Sequence, residues 1–150
     1  MFAHGFATDR LNQEKTTMPS GQAITSLKSQ ESQDALKPFE GQPMTTGPQA
    51  KVYSDHFIWD HMMASSDGKT YQEMGDVIKK AKADGKSEDE IKKMNETRDS
   101  LFKGDALRGI LLNAYGWWLV GTIAIWAGAA LLALAAILLA LGFTVLRTKK

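Results

Sequence analysis

Two carboxylate–imidazole pairs, Asp55-His56 and Asp60-His61, are the residues of this 150-residue chain best suited by type to do chemistry. Together, imidazole and carboxylate bind transition metals or pass protons. On a helix, His56 and Asp60 are four residues apart and share a face, whereas His56 and His61 stand about 140° apart. That supplies two ligands of a metal site and no third, since the remaining histidine, His4, lies far away near the N-terminus. The facial two-histidine, one-carboxylate geometry of a non-haem iron site is not given by this spacing. The pairs read as histidines satisfied by neighbouring acids. Cysteine is absent, which removes disulfides, thiolate metal sites and cysteine nucleophiles. There is no glycine-rich phosphate loop before a helix, no nucleophile elbow and no His-Glu-x-x-His. The chain therefore reads as no enzyme, with no cofactor and no metal.

The charge distribution points elsewhere. Net charge is +1, but no residue from Gly109 to Leu146, a run of 38, carries a charge. A transmembrane helix needs only ~20 such residues. Residues 1–108 are slightly acidic, which argues against nucleic acid as a partner. At 1.5 Å per residue the run is about 57 Å long, against a hydrocarbon slab of ~30 Å. Two spans would leave no room for a turn, and no Pro or Asn-Gly marks one. One long helix is expected, its first turns outside the bilayer and its buried span at about Leu119–Phe143. Tyr115, Trp117 and Trp118 would form an aromatic belt at one interface, and Arg147, Lys149 and Lys150 would mark the other.

Within that span Gly121, Gly128, Ala135 and Gly142 recur every seven residues, with Ala114 one heptad earlier. Small residues on one seam let another helix approach closely. Trp126 lies about 12 Å along the helix from Trp118, inside the slab, where its indole N–H needs a partner. These residues are the candidate packing site for integral membrane protein subunits.

The elements that position these residues divide the chain in three. Residues 1–48 hold all four prolines, Pro19, Pro38, Pro43 and Pro48, among many Ser, Thr and Gln. Interrupted donors and sparse apolar residues predict a flexible or extended arm, with Phe39 and Met44 as anchors on a partner. The faintly apolar start, Met1 to Ala7, is too short for a secretory signal and fits the end of a longer apolar segment. Residues 49–104 predict three short helices. The first covers about 50–65, with Val52, Phe57, Ile58, Met62 and Met63 on one side. The second opens with a capping box at Thr70–Glu73, buries Met74, Val77, Ile78 and Ala81, and stops at Gly85. The third repeats the device at Ser87–Glu90, turns Ile91, Met94, Leu101 and Phe102 inward and stops at Gly104. Asp105 then caps a separate membrane helix over 105–150. The expected fold class is all-α.

The stretch Lys51-Val-Tyr-Ser-Asp-His-Phe-Ile-Trp-Asp-His61, with Asp67-Gly-Lys-Thr-Tyr71 and Leu101 to Gly116, resembles a family of small actinobacterial membrane proteins often labelled "aromatic ring-opening dioxygenase". The resemblance covers roughly residues 39–125. It implies an N-terminal membrane helix, an extracytoplasmic helical region and a C-terminal membrane helix. This chain departs from that layout at its N-terminus. The dioxygenase label implies iron ligands that the residues above do not supply.

The basic residues before the span outnumber those after it, which on count alone puts residues 1–108 in the cytoplasm. The tail charges are denser and undiluted by acids, and the resemblance puts 1–108 outside; that orientation is the expectation. The expected role is a non-catalytic accessory subunit or assembly factor of a membrane complex, with a respiratory-chain complex implied by the organism class of the resemblance. The alternative is a free-standing envelope receptor or stress protein whose helical head binds a ligand.

Overall fold

The computed structural model describes the backbone of residues 2–148 and the side chains of residues 5–144. Among these residues the chain is all-helical, with no strand and with one long apolar C-terminal helix.

The lead departs from the extended arm expected of it. It forms α1 (Phe2–Gln13), α2 (Gln22–Thr25) and α3 (Gln30–Leu36), followed by a 3₁₀ turn over Lys37–Phe39. Ser29 caps α3 by accepting from the Ser32 amide. Two backbone bonds of 2.8 Å, Met18 N–H to the Gln42 carbonyl and Met44 N–H to the Thr16 carbonyl, tie the ends of this segment together. The short helices and the loops between them each contribute single apolar side chains, and Leu11, Met18, Ile24, Leu27, Leu36, Met44 and Ala50 meet in one buried cluster. Met44 and Phe39 thus anchor the lead on its own chain. The prolines fit this fold: Pro38 and Pro48 sit in first turns, where no amide donor is required.

A helical rod follows: α4 (Gly47–Val52), a π-helical segment (Tyr53–Ile58) and α5 (Trp59–Ser65). A capping box opens it, the Thr46 hydroxyl accepting from the Gln49 amide while the Gln49 side chain accepts from the Thr46 amide. After the Ser66–Gly68 turn, α6 (Tyr71–Ala83) starts on the expected Thr70–Glu73 capping box. Gly85, at φ +72°, ends the turn after it and lets the Lys86 amide reach back to the Ala81 carbonyl.

The third and fourth expected helices are one. α7 (Glu88–Thr148) begins on the Ser87–Glu90 capping box and runs without a break for 61 residues, about 90 Å. Gly104 is not a stop, and Asp105 is not a cap but an exposed mid-helix residue 3.8 Å from Arg108. A Cβ at Gly104 would lie 2.5 Å from Met62 Sδ, so the glycine is there to let α5 approach. At the other end a Cβ at Gly47 would lie 2.6 Å from Trp118 Cβ. Between them the Arg108 Nε–H donates to the Ser54 carbonyl at 3.2 Å. These three contacts set the rod antiparallel to α7. Arg98 of α7 stacks over Tyr71 of α6 at 4.0 Å and donates to its carbonyl. Met62, Met74, Ile78 and Leu101 form the second buried cluster, while Phe102, expected inward, is 60% exposed.

Candidate functional site

The head covers α7 only as far as Gly121, which is buried, and Thr122, which is half-buried. Beyond that point every described side chain is exposed except at half-buried Gly128. Residues 122–146 are uncharged and about 37 Å long as helix, enough to cross a ~30 Å slab. The helix is thus long and apolar enough to cross a membrane, and that stretch is not buried within the chain.

The expected interface residues separate on inspection. Trp117 is 51% exposed and Tyr115 half-buried, whereas Trp118 packs beneath Gly47 and belongs to the head. Lys149 and Lys150 lie outside the described residues, as does the side chain of Arg147. Trp126 is 73% exposed. The heptad of small residues divides in the same way. Ala114 packs against the cluster of the lead, and Gly121 is buried. Around Gly128 and Gly142 there is nothing within 4 Å of an added Cβ, and Ala135 is exposed. The lower half of the seam serves the head; the upper half is open to a neighbour.

The carboxylate–imidazole residues sit on the π-helical segment and the start of α5. Asp55 is held by Lys51 at 2.5 Å and Arg108 at 3.6 Å. Arg108 also stacks over Trp59 at 4.5 Å, so one guanidinium fastens α7 to the rod through charge, backbone and ring contacts. His56 Nδ1 lies 3.3 Å from the Ser32 hydroxyl on α3. The His61 Nδ1–H donates to the Phe57 carbonyl at 2.8 Å, its ring 4.4 Å from that of Phe57. The histidines therefore point to different neighbours. Among the described residues no three of His, Asp or Glu converge where a metal ion could sit. The His4 side chain is outside the described residues. Ser54 Oγ and one Asp60 oxygen are buried without a hydrogen-bond partner. The arrangement does structural work: it converts the irregular turn at Tyr53–Ile58, whose backbone offers a carbonyl to Arg108, into a joint between rod and long helix.

An apolar cavity of about 370 Å³ lies where α1, the rod and α7 diverge. Leu11, Met44, Ile58, Leu107, Leu111 and Ala114 supply its apolar walls, and Arg10, Glu14, Thr16 and Tyr53 bring polar groups. Burial pushes the Tyr53 phenol above its ordinary pKa, so it remains a neutral donor. Sequence reasoning missed this cavity, the Gly47–Trp118 approach and the Arg108 joint. The signal for the last was Arg108 itself, the final charge before 38 uncharged residues. Compared with protein families, with curated proteins and with solved structures, the chain matches none.

Proposed function

We propose that this protein is a non-catalytic accessory subunit, or an assembly and stability factor, of a larger membrane complex, with α7 as its single span. One observation carries the reading. A helical head folded around the lower half of α7 leaves the upper half bare, apolar and lined on one side by Gly128, Ala135 and Gly142. Leucine burial gives helices no drive to associate in lipid, whereas close backbone approach at small residues does. The head would lie on the extracytoplasmic side and the basic tail in the cytoplasm. A respiratory-chain complex is the partner we name first, on the strength of the sequence resemblance alone.

Affinity purification from native membranes in mild detergent, read by mass spectrometry, tests it. The expected result is co-purification with integral membrane subunits at fixed stoichiometry. Gly128→Leu should lose those subunits while staying in the membrane; Leu119→Ala, on the opposite side of α7, should keep them. A chain that purifies free of other subunits refutes the reading. The cavity beside Tyr53 favours a second one, an envelope receptor whose head takes an apolar ligand. Such a receptor would purify alone, and a bulky residue at Ala114 would abolish its ligand.

A further inference from the structure

We infer that a second copy of this chain pairs in parallel with α7, along the face that carries Phe102, Gly109, Asn113, Val120, Ile123 and Leu134. This goes beyond the docking of other subunits, because it uses a different side of the helix from Gly128 and needs no other protein. Lipid accounts for apolar exposure above Trp117, but not below it. Phe102, on this face, is 60% exposed and precedes the tryptophan on α7. Phe102 lies about 22 Å down the helix from Trp117, well into the aqueous side.

The face has a register. Counting alternately four and three residues from Phe102 gives twelve positions to Leu141, and none of them ionises. The uncharged run stops there: one step earlier the register carries exposed Asp99 and two steps earlier exposed Asn95. Lys103 and Asp105 fall to either side of it. Copies of one chain inserted in the same sense can pair only in parallel, so each seam residue meets its own copy. A charge there would face a like charge. Between Phe102 and Leu141, Asn113 is the one strongly polar side chain on this register. Its amide both donates and accepts, so it pairs with itself across a two-fold axis and fixes the register of two helices.

The flanking glycines point the same way. At Gly47 and Gly104 this chain's own packing gives the glycine a reason, since an added Cβ would crowd Trp118 or Met62. At Gly109 and Gly116 an added Cβ meets nothing within 4 Å, although glycine weakens a helix there. A second backbone beside Asn113 supplies the missing reason. The area suffices too. Phe102, Val120, Ile123, Leu134, Ile137 and Leu141 are each 52% to 60% exposed. With the small residues between them they offer on the order of 800 Å² per chain, about 1,600 Å² for a pair, the standard size of a specific interface.

Because the chain has no cysteine, single-cysteine variants test this directly. Ala106→Cys and Asn113→Cys place a thiol on the seam. Ser100→Cys and Leu107→Cys place one on exposed positions of other faces of α7. The full-length variants are expressed alone in membranes, oxidised mildly and read as disulfide dimers on non-reducing gels. The expected result is crosslinking on the seam at roughly tenfold the off-seam yield, and Asn113→Lys should lower dimer formation on the order of tenfold, because it sets like charges face to face. Crosslinking that is absent, uniform over the four positions or stronger off the seam overturns the pairing. None of these outcomes depends on whether other subunits co-purify.

Discussion

Gly47→Ala asks how closely the rod must approach α7. The added Cβ would stand 2.6 Å from Trp118 Cβ, 2.8 Å from Cγ and 3.1 Å from Cδ2. A Cβ and a ring carbon next to it cannot swing away as the end of a flexible side chain can, so the backbones must separate. Overpacking of this kind costs ~1–3 kcal/mol. Alanine recovers up to ~1 kcal/mol of helix propensity. However, Pro48 follows, and the residue before proline is disfavoured in helical conformation once it has a Cβ. The net expectation is a loss of ~1–2 kcal/mol. At Gly104 the contact is with Met62 Sδ and Cγ, at 2.5 and 2.7 Å. A thioether adapts readily, so Gly104→Ala should cost under ~1 kcal/mol after the propensity gain. Gly109→Ala meets nothing and should stabilise the monomeric head by ~0.5–1 kcal/mol. Denaturant unfolding in mild detergent, followed by tryptophan emission, gives the three values. Amide exchange over residues 46–50 locates the first effect. If Gly47→Ala is as stable as the parent, or more so than Gly109→Ala, the close approach at Trp118 is wrong.

The caps give the next expectations: Thr70→Ala and Ser87→Ala should each cost ~1 kcal/mol locally, read as faster amide exchange over residues 71–74 and 88–91. The Glu90 carboxylate is held down to a pKa of about 2, first by its hydrogen bond to Lys86 and then by Ser87. Its folded pKa lies below its ordinary 4.5, so its contribution is full above that value and is lost as pH falls toward 2. The first turn of α7 should therefore keep slow exchange at pH 5 and lose it near pH 2, and Glu90→Gln should flatten that profile. Arg108→Lys keeps the charge but loses the stack on Trp59 and the fork toward Asp55; a loss of ~1–3 kcal/mol is expected from denaturant unfolding. His56→Ala and His61→Ala should leave metal content unchanged by elemental analysis, since the two rings face different partners.

What was legible in the sequence follows from how local each cause is. The long apolar helix was read from residues 109–146 because a run without charge needs no knowledge of the rest of the chain. The openings of α6 and α7 were legible because Thr70 and Glu73, or Ser87 and Glu90, satisfy each other within one turn. Gly85 was legible as a stop because its role, a positive φ, is local too. Gly104 looked the same in the sequence and does something else: its reason is Met62, some forty residues away, and nothing adjacent reveals it. The lead was misread for a related cause. Leu11, Met18, Ile24, Leu27, Leu36 and Met44 have no helical or strand period because they come singly from three short helices and the loops between and after them, and only their meeting beside α7 makes them a core.

That same distinction explains why the small-residue seam was read as one feature and is two. A seven-residue repeat from Ala114 to Gly142 says that something can come close along one side of the helix, not what. The head fills the space at Ala114, and Gly121 lies buried at the end of its cover, while Gly128 and Gly142 keep theirs open. A single long helix therefore serves two environments along one line of residues. Its lower turns are the central element of a helical head, fastened by Arg108 and by glycine contacts at Gly47 and Gly104. Beyond Thr122 the described side chains of its upper turns are exposed, apart from half-buried Gly128. Along this line of small residues, substitutions below Gly121 should then act on folding and those above it on association, a division that stability and co-purification measurements on Ala114→Leu and Gly128→Leu would each read separately. Loss of head stability from Gly128→Leu would show that the two halves are not independent.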